Sequence, residues 1–129
     1  MTVAPGGKHI LADATDIPAE YLMDSKFIKD HLEIAAKNAG ATVLNSWMHH
    51  FGEGYGVTGV IVLSESHISI HTWPEEGYAA FDIFMCGNSK PELALNYIRI
   101  AFPGEYNVQV IERTNRIRIP LLVPEFPPI

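Results

Sequence analysis

Residues 57–73, VTGVIVLSESHISIHTW, contain two strand-forming segments that meet at Glu65 and Ser66. Residues 57–64 form a continuous apolar run, which is typical of a buried strand. Residues 67–73 alternate between polar and apolar side chains, so one face of that strand would carry His67, Ser69, His71 and Trp73. The short junction indicates a hairpin-like pair of neighbouring strands.

The segments on either side complete an α+β pattern. Capping signals support both helices: Ser25 is the predicted N-cap of the first, and Ser89 with Glu92 forms a predicted capping box at the second. The predicted order is a strand at 8–13, a helix at 25–38, strands at 41–51, 57–64, 67–73 and 78–86, a helix up to 102, and strands near 107–113 and 116–121. We expect a two-layer sandwich with an antiparallel or mixed sheet and two main helices packed on one face.

No repeat or linker divides the chain, so residues 1–129 should form a single domain. The apolar share of 47% is sufficient for an ordinary core. Residues 123–129, VPEFPPI, contain three prolines and should form an extended tail.

The net charge of -6 disfavours binding to nucleic acid or to anionic membrane surfaces, and a cationic small molecule is the better electrostatic match. No apolar run approaches the roughly 20 residues that a membrane span requires. The only cysteine, Cys86, cannot form a disulfide within the chain. These features predict a cytoplasmic protein.

The polar face of residues 67–73 has two interpretations. It could simply face water, or it could line a pocket in which imidazoles serve as acid, base or metal ligand. His67 and His71 lie about 13 Å apart on a strand at about 3.3 Å per residue, so they cannot chelate one ion, and no closely spaced cysteine pair exists. We therefore predict no metal. The chain also lacks a Gly-x-Ser-x-Gly elbow and a glycine-rich phosphate loop.

Residues 64–75, SESHISIHTWPE, resemble the self-cleavage segment of the pyruvoyl-dependent prokaryotic S-adenosylmethionine decarboxylase proenzymes. The resemblance extends back through 56–59 and forward through 77–80 to Asp82, Phe84 and Cys86. The placement of both helices is similar as well. Only the first few residues and the proline-rich tail fall outside the resemblance.

This resemblance implies that the proenzyme cuts itself between Glu65 and Ser66, leaving residues 1–65 as the β chain and 66–129 as the α chain. Ser66 would become the pyruvoyl group. His71 matches the base that accepts the Ser66 α-proton during processing, and Thr58 matches the position of a processing hydroxyl, at which some members carry Ser.

The resemblance also implies a decarboxylase in which the pyruvoyl group forms a Schiff base with the substrate amine and replaces pyridoxal phosphate as electron sink. Cys86 matches the proton donor, although a lone cysteine in a strand is otherwise more often a core residue. His67 is a predicted substrate-binding residue as well, and it could tune either step or hold a structural hydrogen bond. Phe51, Trp73 and Glu75 match substrate-binding positions.

The implied role is the conversion of S-adenosylmethionine to its decarboxylated form for spermidine biosynthesis. The same chemistry on arginine or ornithine is one alternative, and an unprocessed homologue that acts as a binding or regulatory subunit is another. The resemblance further implies a homodimer of processed protomers with shared active sites, in which Phe51 would reach the pyruvoyl group of the other protomer.

Overall fold

The structure, a computed structural model, describes residues 6–113 and 120–122. Within these residues, six strands and the two longer helices follow in the predicted order. The elements are β1 (Gly7–Thr15), α1 (Ala19–Leu22), α2 (Ser25–Asn38), β2 (Val43–His50), β3 (Val57–Leu63), β4 (Ser66–Trp73), β5 (Tyr78–Cys86), α3 (Pro91–Ala101) and β6 (Glu105–Arg113). A short 3₁₀ turn, Pro74–Glu76, joins β4 to β5.

The strands form one six-stranded sheet in the order β2-β3-β4-β5-β1-β6. Every pairing is antiparallel, so the mixed sheet that the sequence also allowed does not occur among the described strands. Helices α2 and α3 pack against each other and against one face of the sheet. The predicted α+β two-layer sandwich is therefore confirmed.

Alternation along the strands decides which residues meet the helices. In β4, Ile68 and Ile70 are fully buried, while His71 and Trp73 on the other face are exposed. The same alternation in β1, β3 and β5 builds a single core between sheet and helices. The opposite side of the sheet, here called the open face, is not covered by any described element, and it carries His67, Ser69, His71 and Trp73.

Both predicted helix caps are wrong in detail. Asp24, one residue before Ser25, caps α2 by accepting a hydrogen bond from the Phe27 N–H at 3.0 Å. Helix α3 has Lys90 at its N-cap position and lacks a side-chain cap, so the predicted capping box does not form. Its Glu92 instead pairs with Lys8 of β1 at 2.6 Å, because strand and helix lie side by side.

The sequence did not predict α1, a single turn that contributes the buried Leu22. Most of the predicted strand at 116–121, and the whole tail at 123–129, lie outside the described residues, and residues 120–122 are not in a strand. None of the described helices is both long and apolar enough to cross a bilayer.

Candidate active site

The turn between β3 and β4 contains the bond that the sequence predicts to be cut. Leu63 pairs with Ser66, so Ser64 and Glu65 alone make the connection. Glu65 adopts a left-handed backbone with φ +63°, an uncommon conformation for a residue other than glycine that costs roughly 1–2 kcal/mol. The Ser66 hydroxyl donates to the Ser64 carbonyl oxygen at 3.2 Å. The serine is thus held at an exposed and strained turn.

Cys86 contacts this turn from the end of β5. Its Sγ donates to the Glu65 carbonyl oxygen at 3.0 Å, which is the carbonyl immediately before Ser66. The antiparallel pairing of β4 with β5 brings the two together although they are 21 residues apart in sequence. The thiol is only partly buried. Cys86 is therefore not the core residue that its place in a strand would otherwise suggest.

A polar cluster lies beside the cleavage turn on the open face. The His67 ring packs 6.5 Å from His9 and 5.8 Å from Phe84, measured between ring centroids. Asp82 accepts a hydrogen bond from Ser69 at 3.3 Å and lies 3.2 Å from the His9 imidazole. Burial, reinforced by the neighbouring His9, lowers the pKa of His67. The imidazole next to Ser66 is consequently held in its neutral form near pH 7.

A second group of predicted residues lies at the other end of β4. His71 Nδ1 and Thr58 Oγ1 are 3.0 Å apart, because the two residues are paired across β3 and β4. Both border an open pocket of about 360 Å³. The pocket is lined by Phe51, Tyr55, Gly56, Thr58, His71, Thr72, Trp73 and Glu75. Three of the four predicted substrate-binding residues thus share one cavity with the predicted processing base.

The predicted site is therefore divided. The cleavage end consists of Glu65, Ser66, His67 and Cys86, and the aromatic end consists of Phe51, Thr58, His71, Trp73 and Glu75. Ser66 and His71 are five positions apart along an extended strand, a span of about 16 Å at about 3.3 Å per residue. Proton transfer requires groups within about 3 Å, or one water molecule further. One chain folded in this way does not bring its own His71 to its own Ser66.

Sequence reasoning missed two contributors to these groups. Tyr55 lines the pocket, yet in the sequence it stood out only as an aromatic residue among three glycines. His9 joins the polar cluster because β1 pairs with β5, and nothing in the local sequence around it indicates that pairing. Among the described residues, no group of three or more His, Cys, Asp or Glu side chains is placed to hold a metal ion.

Comparisons with known proteins identify the family of this chain. Residues 8–114 match the family model described as S-adenosylmethionine decarboxylase. The chain is 50% identical over 94 residues to the S-adenosylmethionine decarboxylase proenzyme of Synechococcus sp. (strain WH7803), a match that covers 72% of this chain and 73% of the relative. It is 45% identical over 107 residues to the proenzyme of Acidithiobacillus ferrooxidans (strain ATCC 53993 / BNL-5-31), covering 82% of this chain and 79% of the relative.

A solved structure extends the likeness to three dimensions. The crystal structure of the adenosylmethionine decarboxylase from Aquifex aeolicus superposes with a TM-score of 0.79 at 37% identity, covering 92% of this chain and 98% of the other. The sequence family and the fold agree with each other. On these matches, the chain belongs to the S-adenosylmethionine decarboxylase family.

Proposed function

We propose that this chain is a self-processing, pyruvoyl-dependent decarboxylase that acts on S-adenosylmethionine. The observation that carries the proposal is the contact between Cys86 Sγ and the Glu65 carbonyl oxygen, at a turn whose next residue is Ser66. A donor on that carbonyl and a hydroxyl beside it are the groups that an intramolecular acyl shift needs. The left-handed Glu65 adds strain at the same bond.

Self-cleavage starts when Ser66 Oγ attacks the Glu65 carbonyl carbon. The hydroxyl now points at the Ser64 carbonyl, so a side-chain rotation must come first. The thiol of Cys86 stabilises the oxyanion that develops on the Glu65 oxygen. The C–N bond breaks, the Ser66 nitrogen gains a proton, and an ester replaces the amide. A base then removes the Ser66 α-proton, Glu65 leaves as a carboxylate, and the dehydroalanine hydrolyses with loss of ammonia.

The base in this scheme is the partner protomer's copy of His71, because the two ends of β4 are too far apart within one chain. The open face supports a twofold homodimer, in which the cleavage end of one protomer meets the aromatic end of the other. Large apolar side chains on this face are exposed to solvent, including Trp47 at 58% and Val62 at 41%. A second copy would cover them and would complete two sites at once.

The residues at the cleavage end fit a prosthetic group made from Ser66. When formed, the pyruvoyl group supplies the electron sink that decarboxylation of an α-amino acid requires. Neither pyridoxal phosphate nor a metal ion enters the proposal. Cys86 lies beside the same position and holds a proton on Sγ for the substrate α-carbon. His67 packs against Phe84 and, as a neutral imidazole, adds no charge to this end of the site.

The aromatic end supports S-adenosylmethionine as the substrate. The exposed rings of Phe51 and Trp73 offer flat surfaces for a nucleobase, and Glu75 adds a carboxylate for ribose hydroxyls or a positive centre. Arginine and ornithine share the cationic α-amino acid but lack an aromatic group to stack on these rings. A cytoplasmic location and a role in spermidine biosynthesis belong to the same proposal.

The experiment that tests the proposal combines intact mass under denaturing conditions with carbon dioxide release from S-adenosylmethionine, arginine and ornithine. We expect two chains, 1–65 and 66–129, the second lighter by one ammonia than hydrolysis alone would leave it, and release from S-adenosylmethionine. Ser66→Ala should stay uncut and inactive, because it has no attacking hydroxyl. A wild-type chain that stays uncut and inactive would contradict the proposal and favour a non-catalytic homologue. Carbon dioxide release only from arginine or ornithine would show that S-adenosylmethionine is the wrong substrate.

A further inference from the structure

Tyr55 stands on a short glycine-bounded turn at the mouth of the aromatic pocket. We propose that Tyr55 is a specificity-determining residue, whose ring recognises the positive charge of the substrate next to the rings of Phe51 and Trp73 that would stack on the nucleobase. This inference rests on the proposed function, since it concerns the same pocket.

The turn that carries Tyr55 is held at both ends. The Phe51 N–H donates to the Gly56 carbonyl at 3.0 Å, and the Tyr55 N–H donates to the Gly52 carbonyl at 2.9 Å. Gly56 lies so close to β4 that an added Cβ would overlap the Thr72 carbonyl oxygen. These contacts anchor the turn on the strand that also carries Trp73. Tyr55 is therefore kept beside the pocket.

The pocket has the composition of a cation site. Its three aromatic side chains keep 60% (Phe51), 63% (Tyr55) and 40% (Trp73) of their surface exposed, although such groups are normally buried. The negative faces of aromatic rings attract a cation, and the attraction is larger where the cation is desolvated. Glu75 adds a carboxylate, and neither Lys nor Arg lines this pocket within the described residues. A sulfonium with apolar substituents suits these walls.

The test compares a charged ligand with a matched neutral one. We would measure KM for S-adenosylmethionine and the inhibition constant of 5′-methylthioadenosine, which keeps the adenosine but carries a neutral thioether. Tyr55→Leu removes the ring, Tyr55→Phe keeps it, and Glu53→Gln changes the same turn outside the pocket lining. Tyr55→Leu should raise KM about five- to thirty-fold, the range between a strong exposed cation–π contact and a desolvated one.

In the same variant the inhibition constant of the neutral analogue should change by less than about two-fold. Tyr55→Phe and Glu53→Gln should keep KM near the wild-type value, and self-cleavage should be complete in all three variants. Equal weakening of both ligands by Tyr55→Leu would overturn the inference, because the ring would then act only as an apolar wall. An unchanged KM would overturn it as well.

Failure of the proposed function has a different signature. If the wild-type protein releases no carbon dioxide from S-adenosylmethionine, the proposed function is wrong in its substrate or its chemistry. The contribution of Tyr55 is then measured by calorimetric titration with the same two ligands. If Tyr55→Leu loses more affinity for the charged ligand than for the neutral one, the inference is supported. An equal loss of affinity for both ligands, or no loss, would overturn it.

Discussion

The division of the site predicts that processing occurs between protomers. Consider a dimer in which one chain carries Ser66→Ala and the other carries His71→Ala. One of its two sites then combines an intact Ser66 with an intact His71 from the opposite chain, while the other site lacks both. About 16 Å separates the two positions within a chain, several times the reach of a proton transfer. Complementation should therefore be complete at one site and absent at the other.

The assay is the intact mass of a heterodimer that has been purified through two different affinity tags. Every His71→Ala chain should be cut after Glu65, and every Ser66→Ala chain should remain whole. Turnover of S-adenosylmethionine per dimer should be about half that of the wild type, because one of two sites is complete. Neither variant should be cut when it is expressed alone.

The matched control places both substitutions on one chain and pairs it with a wild-type chain. The wild-type Ser66 then faces a partner that lacks His71, so the shared-site arrangement predicts no cleavage of either chain. Cleavage of the wild-type chain in that control would show that His71 acts within its own chain. An uncut first heterodimer would likewise show that His71 does not act across the dimer.

Three further predictions concern single residues. Cys86→Ala should slow self-cleavage about ten-fold or more in time-resolved intact mass, since it removes the donor to the Glu65 carbonyl. Cys86→Ser should process faster than Cys86→Ala. Equal rates of self-cleavage in Cys86→Ala and the wild type would show that the thiol has no role in that step. The lowered pKa of His67 means that the unfolded chain binds the proton more readily, so stability should fall as pH drops below about 6.5. His67→Asn should flatten this dependence in urea titrations at different pH values, and an unchanged slope would contradict the assignment. Thr72→Val should cost about 1–3 kcal/mol of unfolding free energy in urea titration, because it strands the Val57 N–H and the Leu22 carbonyl that the buried hydroxyl serves at 2.8 Å each. A cost below about 0.5 kcal/mol would mean that both groups find other partners.

Local pattern was sufficient for the order of the six described strands and the two longer helices, for the two faces of residues 67–73 and for the family. The side-chain period of a strand is two, so sequence alone assigns Ile68 and Ile70 to one face and His71 and Trp73 to the other. The residues that cap the two helices could not be predicted in this way. Glu92 is recruited by Lys8, a residue 84 positions away, and so leaves the capping box that its spacing favours.

Which of these residues contact one another depends on the tertiary structure. The pairing of β4 with β5 puts Cys86 on the Glu65 carbonyl, and the pairing of β3 with β4 puts Thr58 beside His71, five residues away from Ser66. A shift of one residue in either pairing would turn these side chains to the opposite face, and that register depends on the whole core. Composition and periodicity therefore determined the sheet and its polar face, while strand register determined that the face holds two half-sites.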